Sequence, residues 1–282
     1  MIVNAKEMLE KARIGKYAIA HFNINNLEWT KFILEECQKL NSPVILGVSE
    51  GAIKYMGGYK VVSDMFKALY LELNIEVPVA LHLDHGSSLE ACIKAIDAGF
   101  TSVMIDASKY DLKTNIEITK EVVEYAKKYN VSVEAEVGHI GGTEDELSSE
   151  LAYAKVEDAV SLYNETKIDF LAPALGSVHG LYKGEPNLDF KKMKEISEIT
   201  NAPLVLHGGT GIPDNLIKES IKCGISKINI NTELQIVWTN SVREFLLNNN
   251  EYDPRKVIKS GEKPMKEAIK NKLELLGSIG SS

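Results

Sequence analysis

The chain has 282 residues, 44% hydrophobic and 26% charged, with 32 basic against 40 acidic side chains and a formal net charge of −8. Such a composition suits a soluble globular protein with a large core, and its acidic surplus repels nucleic acid and anionic membranes, which removes both as expected partners. No run approaches the length of a membrane span, and the first twenty residues carry scattered charges without the apolar centre of a signal peptide. Cys37, Cys92 and Cys223 are odd in number and lack metal-ligand spacing, so we expect reduced thiols on buried helix faces of a cytoplasmic protein.

In chain order, short β-rich runs alternate with amphipathic segments. Strands are expected at Tyr17–Asn23, Pro43–Val48, Val77–Leu83, Thr101–Ile105, Val131–Val137, Asp169–Ala172, Pro203–Leu206 and Ser226–Asn231. Between them, LEWTKFILEECQKL, SLEACIKAIDAG and NIEITKEVVEYAKKY place apolar residues at three- and four-residue spacing, and Gly or Asn often follows the last turn. Strand–helix alternation implies parallel strands joined by crossovers. Eight such strands predict one closed (β/α)8 TIM barrel spanning residues 1–282, with no linker to a second domain. The final GSIGSS, residues 277–282, reads as a short disordered tail. Two polar, glycine-bearing loops, His139–Glu150 and Gly176–Asn187, follow the fifth and sixth strands and are candidates for mobile lids.

Ionisable residues gather where the strands end. His85 follows VPVALHLD, His179 follows DFLAPA, and His207 ends APLVLH. Asp84, Asp106, Glu134 and Glu136 stand close by in sequence. The carboxyl ends of barrel strands are where this fold builds its active sites, and three neutral imidazoles converging there suit a catalytic zinc with a fourth position left open. His82 lies deeper in its strand and reads as a packed, hydrogen-bonded residue, and His21 and His139 read as secondary. His207 leads into Gly208-Gly209-Thr210-Gly211, with a helix expected from about Asp214. The eighth strand ends in Asn229-Ile230-Asn231-Thr232, just before another expected helix. Loops after strands seven and eight, opening onto helix N-termini, favour a phosphate.

HLDHGSS, SVMIDAS, SVEAEVG followed by GGTEDE, LAPALGSVHGLYKGEP, LVLHGGTGIP and KININTE, taken together, resemble the class II, metal-dependent fructose-bisphosphate aldolases. The similarity runs from about Ala5 past the YDPR segment at Tyr252–Arg255. This resemblance implies one zinc held by His85, His179 and His207, with Asp84 as the acid at the aldehyde oxygen of the cleaving bond. Glu144 is implied as the loop residue that moves a proton at the nucleophilic carbon. Gly180, Gly208, Gly209, Thr210, Asn229 and Thr232 are implied to hold the dihydroxyacetone phosphate half, with Asn231 in the same loop. Asn23 and Ser49 are further expected substrate contacts, Ser49 near the distal part. Arg255 is implied to reach the other phosphate from a neighbouring subunit, hence a homodimer or homotetramer. Glu136 and Asp106 match residues that sometimes contact metal in alternative positions, and a monovalent cation near the phosphate is a further family expectation.

The chemistry agrees. Cleaving a β-hydroxy ketone leaves an enediolate whose charge needs an electrophile, either a lysine Schiff base or a metal. No lysine stands at a strand end, and Lys227, inside the eighth strand, is expected to snorkel or pair with a carboxylate. A tagatose-bisphosphate aldolase of the same family would differ only in stereochemistry at C4. Such relatives tend to carry Ser or Ala at the positions of Gly209, Thr210 and Asn231, so the pattern here favours fructose bisphosphate. A metal hydrolase would call for a carboxylated lysine or a two-metal bridge, and no matching lysine is found. A non-catalytic sugar-phosphate binder would be expected to lose Asp84, Glu144 or a histidine, all of which are present.

Overall fold

β-Branched and aliphatic runs form eight parallel strands that close on themselves in a computed structural model. It describes the chain except residues 145, 146, 150, 151, 181 and 183, and for 143, 144 and 147–149 the backbone alone. The strands are β1 (Ile19–Asn23), β2 (Val44–Ser49), β3 (Val79–Gly86), β4 (Ser102–Ile105) and β5 (Ser132–Val137), followed by β6 (Gly141–Glu144), β7 (Leu147–Ser149), β8 (Phe170–Pro173), β9 (Val178–His179), β10 (Leu204–Leu206) and β11 (Ile225–Ile230). Around the closed barrel the order is β1-β11-β10-β8-β5-β4-β3-β2, the expected (β/α)8 architecture. Strand bounds fall within two residues of expectation except at β3, which runs on to Gly86.

The two polar loops do not simply wander over the surface. β6 and β7 pair as an antiparallel hairpin, and β6 also pairs in parallel with β9, joining both loops into one small sheet. Gly142 makes this possible: its φ is +108°, and a Cβ there would meet the His179 carbonyl oxygen at 2.2 Å.

Two apolar regions hold the barrel. Outside, strand faces pack on the helix stripes, including Phe32 and Ile33 from helix Leu27–Lys39 and Ile269 and Leu273 from helix Glu262–Leu276. Inside, at the amino-terminal end, Ile19, Ile45, Ala80, Phe170, Ala172 and Val205 meet Met8, Leu9 and Ala12 of helix Lys6–Gly15, which plugs that mouth. Each large side chain buried there contributes roughly 1.5–3 kcal/mol. Cys37, Cys92 and Cys223 are buried free thiols, as expected.

The C-terminal tail corrects the expectation of disorder. Gly277 adopts φ +72° as the C-cap of helix Glu262–Leu276 and turns the chain back. Fully buried Ser278 then accepts a hydrogen bond from Ser42 Oγ at 3.0 Å, and the Gly280 N–H donates to the Leu40 carbonyl. Its small residues serve a tight return and close packing.

Above the apolar plug the interior turns polar. His21, His82, Glu134 and Lys227 are all fully buried there. Gly47 gives His21 its space, since a Cβ at that position would lie 1.9 Å from the ring Nε2. Gly47→Ala should therefore destabilise the barrel by about 1–3 kcal/mol, the usual cost of overpacking. Equilibrium urea unfolding measures this, and an unchanged midpoint would show that His21 is not seated against Gly47.

Candidate active site

β3 makes the first part of the site. Its register against β4 shifts between Leu83 and Gly86, and His85 has φ +48°. This bulge breaks the alternation of faces, so Asp84 turns inward against β1 and β11 while its neighbour His85 meets the other two histidines. The ligand nitrogens of His85, His179 and His207 all lie within 4.8 Å of one another. His179 comes from β9, held by the pairing of β9 with β6, and His207 directly follows β10.

Carboxylates fix two of these rings from behind. His85 Nδ1 lies 2.8 Å from Asp106 Oδ2, while Asp106 Oδ1 accepts from Ser108 N–H and Oγ. Ser108 Oγ in turn lies 2.9 Å from His139 Nδ1. His207 Nε2 lies 2.8 Å from Glu134 Oε1. An ionised carboxylate only accepts, so each facing nitrogen carries the hydrogen, and the bare nitrogens, His85 Nε2 and His207 Nδ1, face each other at 3.0 Å.

Burial would raise the Asp106 carboxyl, but hydrogen bonds from His85 and Ser108 outweigh it and hold Asp106 below the usual carboxylate range. Burial drives His179 and His207 well below the ordinary imidazole value, reinforced by the neighbouring His85, so both are neutral. Two lone pairs at 3.0 Å repel unless a positive group stands between them, and neutral imidazoles backed by carboxylates are what a metal takes as ligands. The residues present therefore fit a divalent cation. Glu136 is also near: its Oε2 lies 3.9 Å from His85 Nδ1, and His85, Asp106 and Glu136 form a second grouping with ligand-like spacing. Burial and then the charge of Asp106 push the Glu136 carboxyl well above its ordinary value, toward the neutral acid.

Asp84 is 1% exposed and gripped by amides. Asn23 Nδ2 donates to one oxygen at 2.9 Å and Asn229 Nδ2 to the other at 3.3 Å, with His21 Nε2 at 3.7 Å. Burial alone would raise this carboxyl, but His21, His85, His207 and Lys227 hold it well below the usual range. Asn229 Nδ2 also lies 3.1 Å from His207 Nδ1, linking Asp84 to the histidines.

The glycine-rich turn sits against the same cluster. Gly208 has φ +64°, and a Cβ there would fall 2.1 Å from the Val178 carbonyl oxygen. The Tyr182 hydroxyl donates to the Gly208 carbonyl and accepts from Val178 N–H, tying the loop that carries His179 to the turn after His207. Gly209 N–H bonds the Asn229 carbonyl, and Thr210 Oγ1 accepts from Glu233 N–H in the first turn of helix Thr232–Asn248. Asn231 is the N-cap of that helix, and its buried Oδ1 has no hydrogen-bond partner among the described residues. Gly180, at φ +84°, follows His179.

Ser49 pairs in register with Asp84 at the mouth, but its Oγ caps helix Glu50–Met56 by accepting from Ala52 N–H. Arg255 is exposed and bonded to Asp253 of its own chain. The side chain of Glu144 lies outside the described residues, while its backbone ends β6, two residues beyond the Gly142 that pairs with His179. Lys227 pairs rather than snorkels: fully buried, it meets Glu134 Oε2 at 2.7 Å.

The roles of Glu134 behind His207 and of Tyr182 across the loops escape the sequence reading. The first had a signal, since Glu134 and Glu136 at i and i+2 on a buried strand must share its inner face.

A family model described as "Fructose-bisphosphate aldolase class-II" matches residues 3–281. The chain belongs to the class II fructose-bisphosphate aldolase family. It is 56% identical to a fructose-bisphosphate aldolase of Geobacillus stearothermophilus, over 100% of this chain and 99% of that relative. A fructose-bisphosphate aldolase of Staphylococcus epidermidis is 53% identical over 98% of each. Among solved structures, the YdjI aldolase from Escherichia coli K12 superposes with a TM-score of 0.88 at 33% identity, over 100% and 99% of the two chains. The fructose-bisphosphate aldolase of Campylobacter jejuni does so at 0.85 and 25%, over 100% and 97%.

Class II aldolases are generally metal-dependent, and His85, His179 and His207 could hold the ion, with His207 the most buried of the three. His207→Ala should weaken divalent-metal binding by at least tenfold and abolish activity in parallel. Metal content after dialysis, read beside turnover, checks this, and full metal retention would remove His207 from the ligand set.

Proposed function

We propose that this site cleaves fructose 1,6-bisphosphate reversibly into dihydroxyacetone phosphate and glyceraldehyde 3-phosphate, using one zinc ion per subunit held by His85, His179 and His207. The observation that carries the reading is the set of three imidazoles within 4.8 Å, two of them backed by carboxylates, beside an amide-held Asp84. Nitrogen ligands suit zinc among the available divalent ions. When bound, it supplies a Lewis-acidic charge against the enediolate that develops on the ketone half.

The chain's own residues supply the rest. In cleavage, Asp84 accepts the proton of the C4 hydroxyl as the C3–C4 bond breaks and its electron pair passes to the ketone half. Asn23 and Asn229 keep the Asp84 oxygens oriented for that transfer by donating to both. Glu144 then delivers a proton to the carbon left behind, and in condensation both transfers reverse. The β6–β9 pairing puts the backbone of Glu144 near His179, and a base on such a hairpin can close over the enediolate and exclude water. Asp106 and Glu136, grouped around His85, offer the metal an alternative position.

For the phosphate of the ketone half, we assign the backbone of Gly180, Gly208 and Gly209, the side chains of Thr210, Asn229, Asn231 and Thr232, and the N-terminus of helix Thr232–Asn248. A monovalent cation near this phosphate completes the assignment. Ser49 faces the distal part of the sugar from the β2 end. Arg255 reaches the second phosphate from a neighbouring copy, in a homodimer or homotetramer. Leu247, 80% exposed, and Leu246, 47% exposed, offer that copy an apolar helix face. Among the described residues no helix is long and apolar enough to cross a membrane, and with the acidic balance we place the enzyme in the cytoplasm.

The test is cleavage of fructose and tagatose 1,6-bisphosphates side by side, each with and without a chelator. Strong chelator-sensitive cleavage of the fructose isomer is expected. Preference for tagatose would overturn the substrate assignment, and cleavage surviving thorough metal removal would overturn the metal mechanism. Glu144→Ala should keep metal and substrate affinity while turnover falls about 100-fold or more, the scale of a lost general acid–base. Near-parental turnover would return Glu144 to a solvated position.

A further inference from the structure

Lys227 and Glu134 form a fully buried ion pair in the barrel interior that touches no surface. Lys227 comes from β11 and Glu134 from β5, which are not neighbours in the barrel, so the pair spans the interior rather than following one ladder. Lys227 Nζ sits 2.7 Å from Glu134 Oε2, and the other oxygen, Oε1, lies 2.8 Å from His207 Nε2. His82 stands below, its Nε2 at 3.5 Å from Glu134 Oε2 and its Nδ1 at 2.8 Å from Ser102 Oγ. A buried ion pair is a weak source of stability, since two well-packed apolar side chains often do as well. What this pair touches therefore matters more than the pair itself, and it touches His207.

We propose that Lys227 is a positioning residue for the metal site. By occupying Glu134 Oε2 it turns Oε1 toward His207, so that His207 keeps its hydrogen on Nε2 and presents a bare Nδ1 to the metal. An ammonium has only donors and a carboxylate only acceptors, so the chain Lys227–Glu134–His207 has one polarity and cannot be read backwards. Without Lys227, only His82 Nε2, at 3.5 Å, faces Glu134 Oε2, so the carboxyl is held less firmly and His207 loses the fixed partner that selects its tautomer. Outer partners of metal-bound histidines typically contribute 10–100-fold in metal affinity, and Lys227 acts one bond further out through the same carboxylate.

This inference rests on the three-histidine metal reading. The experiment uses the full chain, stripped by chelator and titrated with zinc against a chelating indicator. Nitrogen-15 spectra of the stripped protein report the His207 tautomer. The parent should bind zinc and show His207 protonated at Nε2. Lys227→Met should bind zinc about 10-fold more weakly or worse, with the Nε2–H population of His207 reduced. The double variant Glu134→Gln, Lys227→Met leaves no charge buried alone and carries the test if the single variant does not fold. Its amide offers His207 either a donor or an acceptor, so the same loss of affinity and a mixed tautomer are expected. A parent protonated at His207 Nδ1, or parent-like zinc affinity and tautomer in a folded variant, would overturn the role of Lys227. Failure of the parent itself to bind zinc would instead overturn the metal reading.

Discussion

Ionisable groups placed inside a closed barrel lose their water, and each must find its partners among other side chains. Here Glu134 accepts from Lys227 and His207, Asp84 from Asn23 and Asn229, and Asp106 from His85 and Ser108. Apart from the local Ser108–Asp106 contact, these pairings join segments distant in sequence, so the site depends on the closed barrel. Desolvation is also what makes the imidazoles useful, because burial drives His179 and His207 to the neutral form a cation takes as ligand. The interior is thus polar where chemistry is done and apolar below, where helix Lys6–Gly15 closes the barrel against Ile19, Ile45 and Phe170.

The same constraint explains the irregularity of β3. A regular strand would send Asp84 and His85 to opposite faces, one toward the barrel and one toward the helices. The proposed mechanism needs both, Asp84 for the proton and His85 for the metal. The bulge at these two residues, with His85 at φ +48°, supplies that at a cost of order 1–3 kcal/mol in backbone strain. The His85–Asp106 hydrogen bond and the packing of the β3–β4 junction hold the strained residue in place.

The barrel was legible because its strands read as β-branched runs between amphipathic helices, a local signal that survives without any tertiary knowledge. His85, His179 and His207 were legible for a related reason: each ends such a run, and strand ends share one mouth in this fold. What stayed hidden depends on contacts between segments far apart. Nothing local in GSIGSS says that Ser278 will bury against Ser42, and nothing local in VSEGA says that Ser49 will spend its hydroxyl on a helix cap. Tyr182 reads as one more loop aromatic until the fold brings Val178 and Gly208 to its hydroxyl. Lys227 was half legible, since a lysine within a buried strand must pair, but sequence does not say that its partner is the carboxylate behind His207.

That last contact joins the scaffold to the reaction. His207 is held from behind by Glu134, and from the front it shares Asn229 with Asp84. His179 is held by the β6 hairpin, whose far end carries Glu144. The three histidines are therefore tied at one side to the buried interior and at the other to the segment bearing Glu144, the proposed base. Displacing the hairpin would disturb His179 through two backbone pairings while leaving His85 and His207 in place. In the proposed mechanism this joins the metal site to the hairpin, because the β6–β9 pairing that holds His179 also sets the position of the Glu144 backbone.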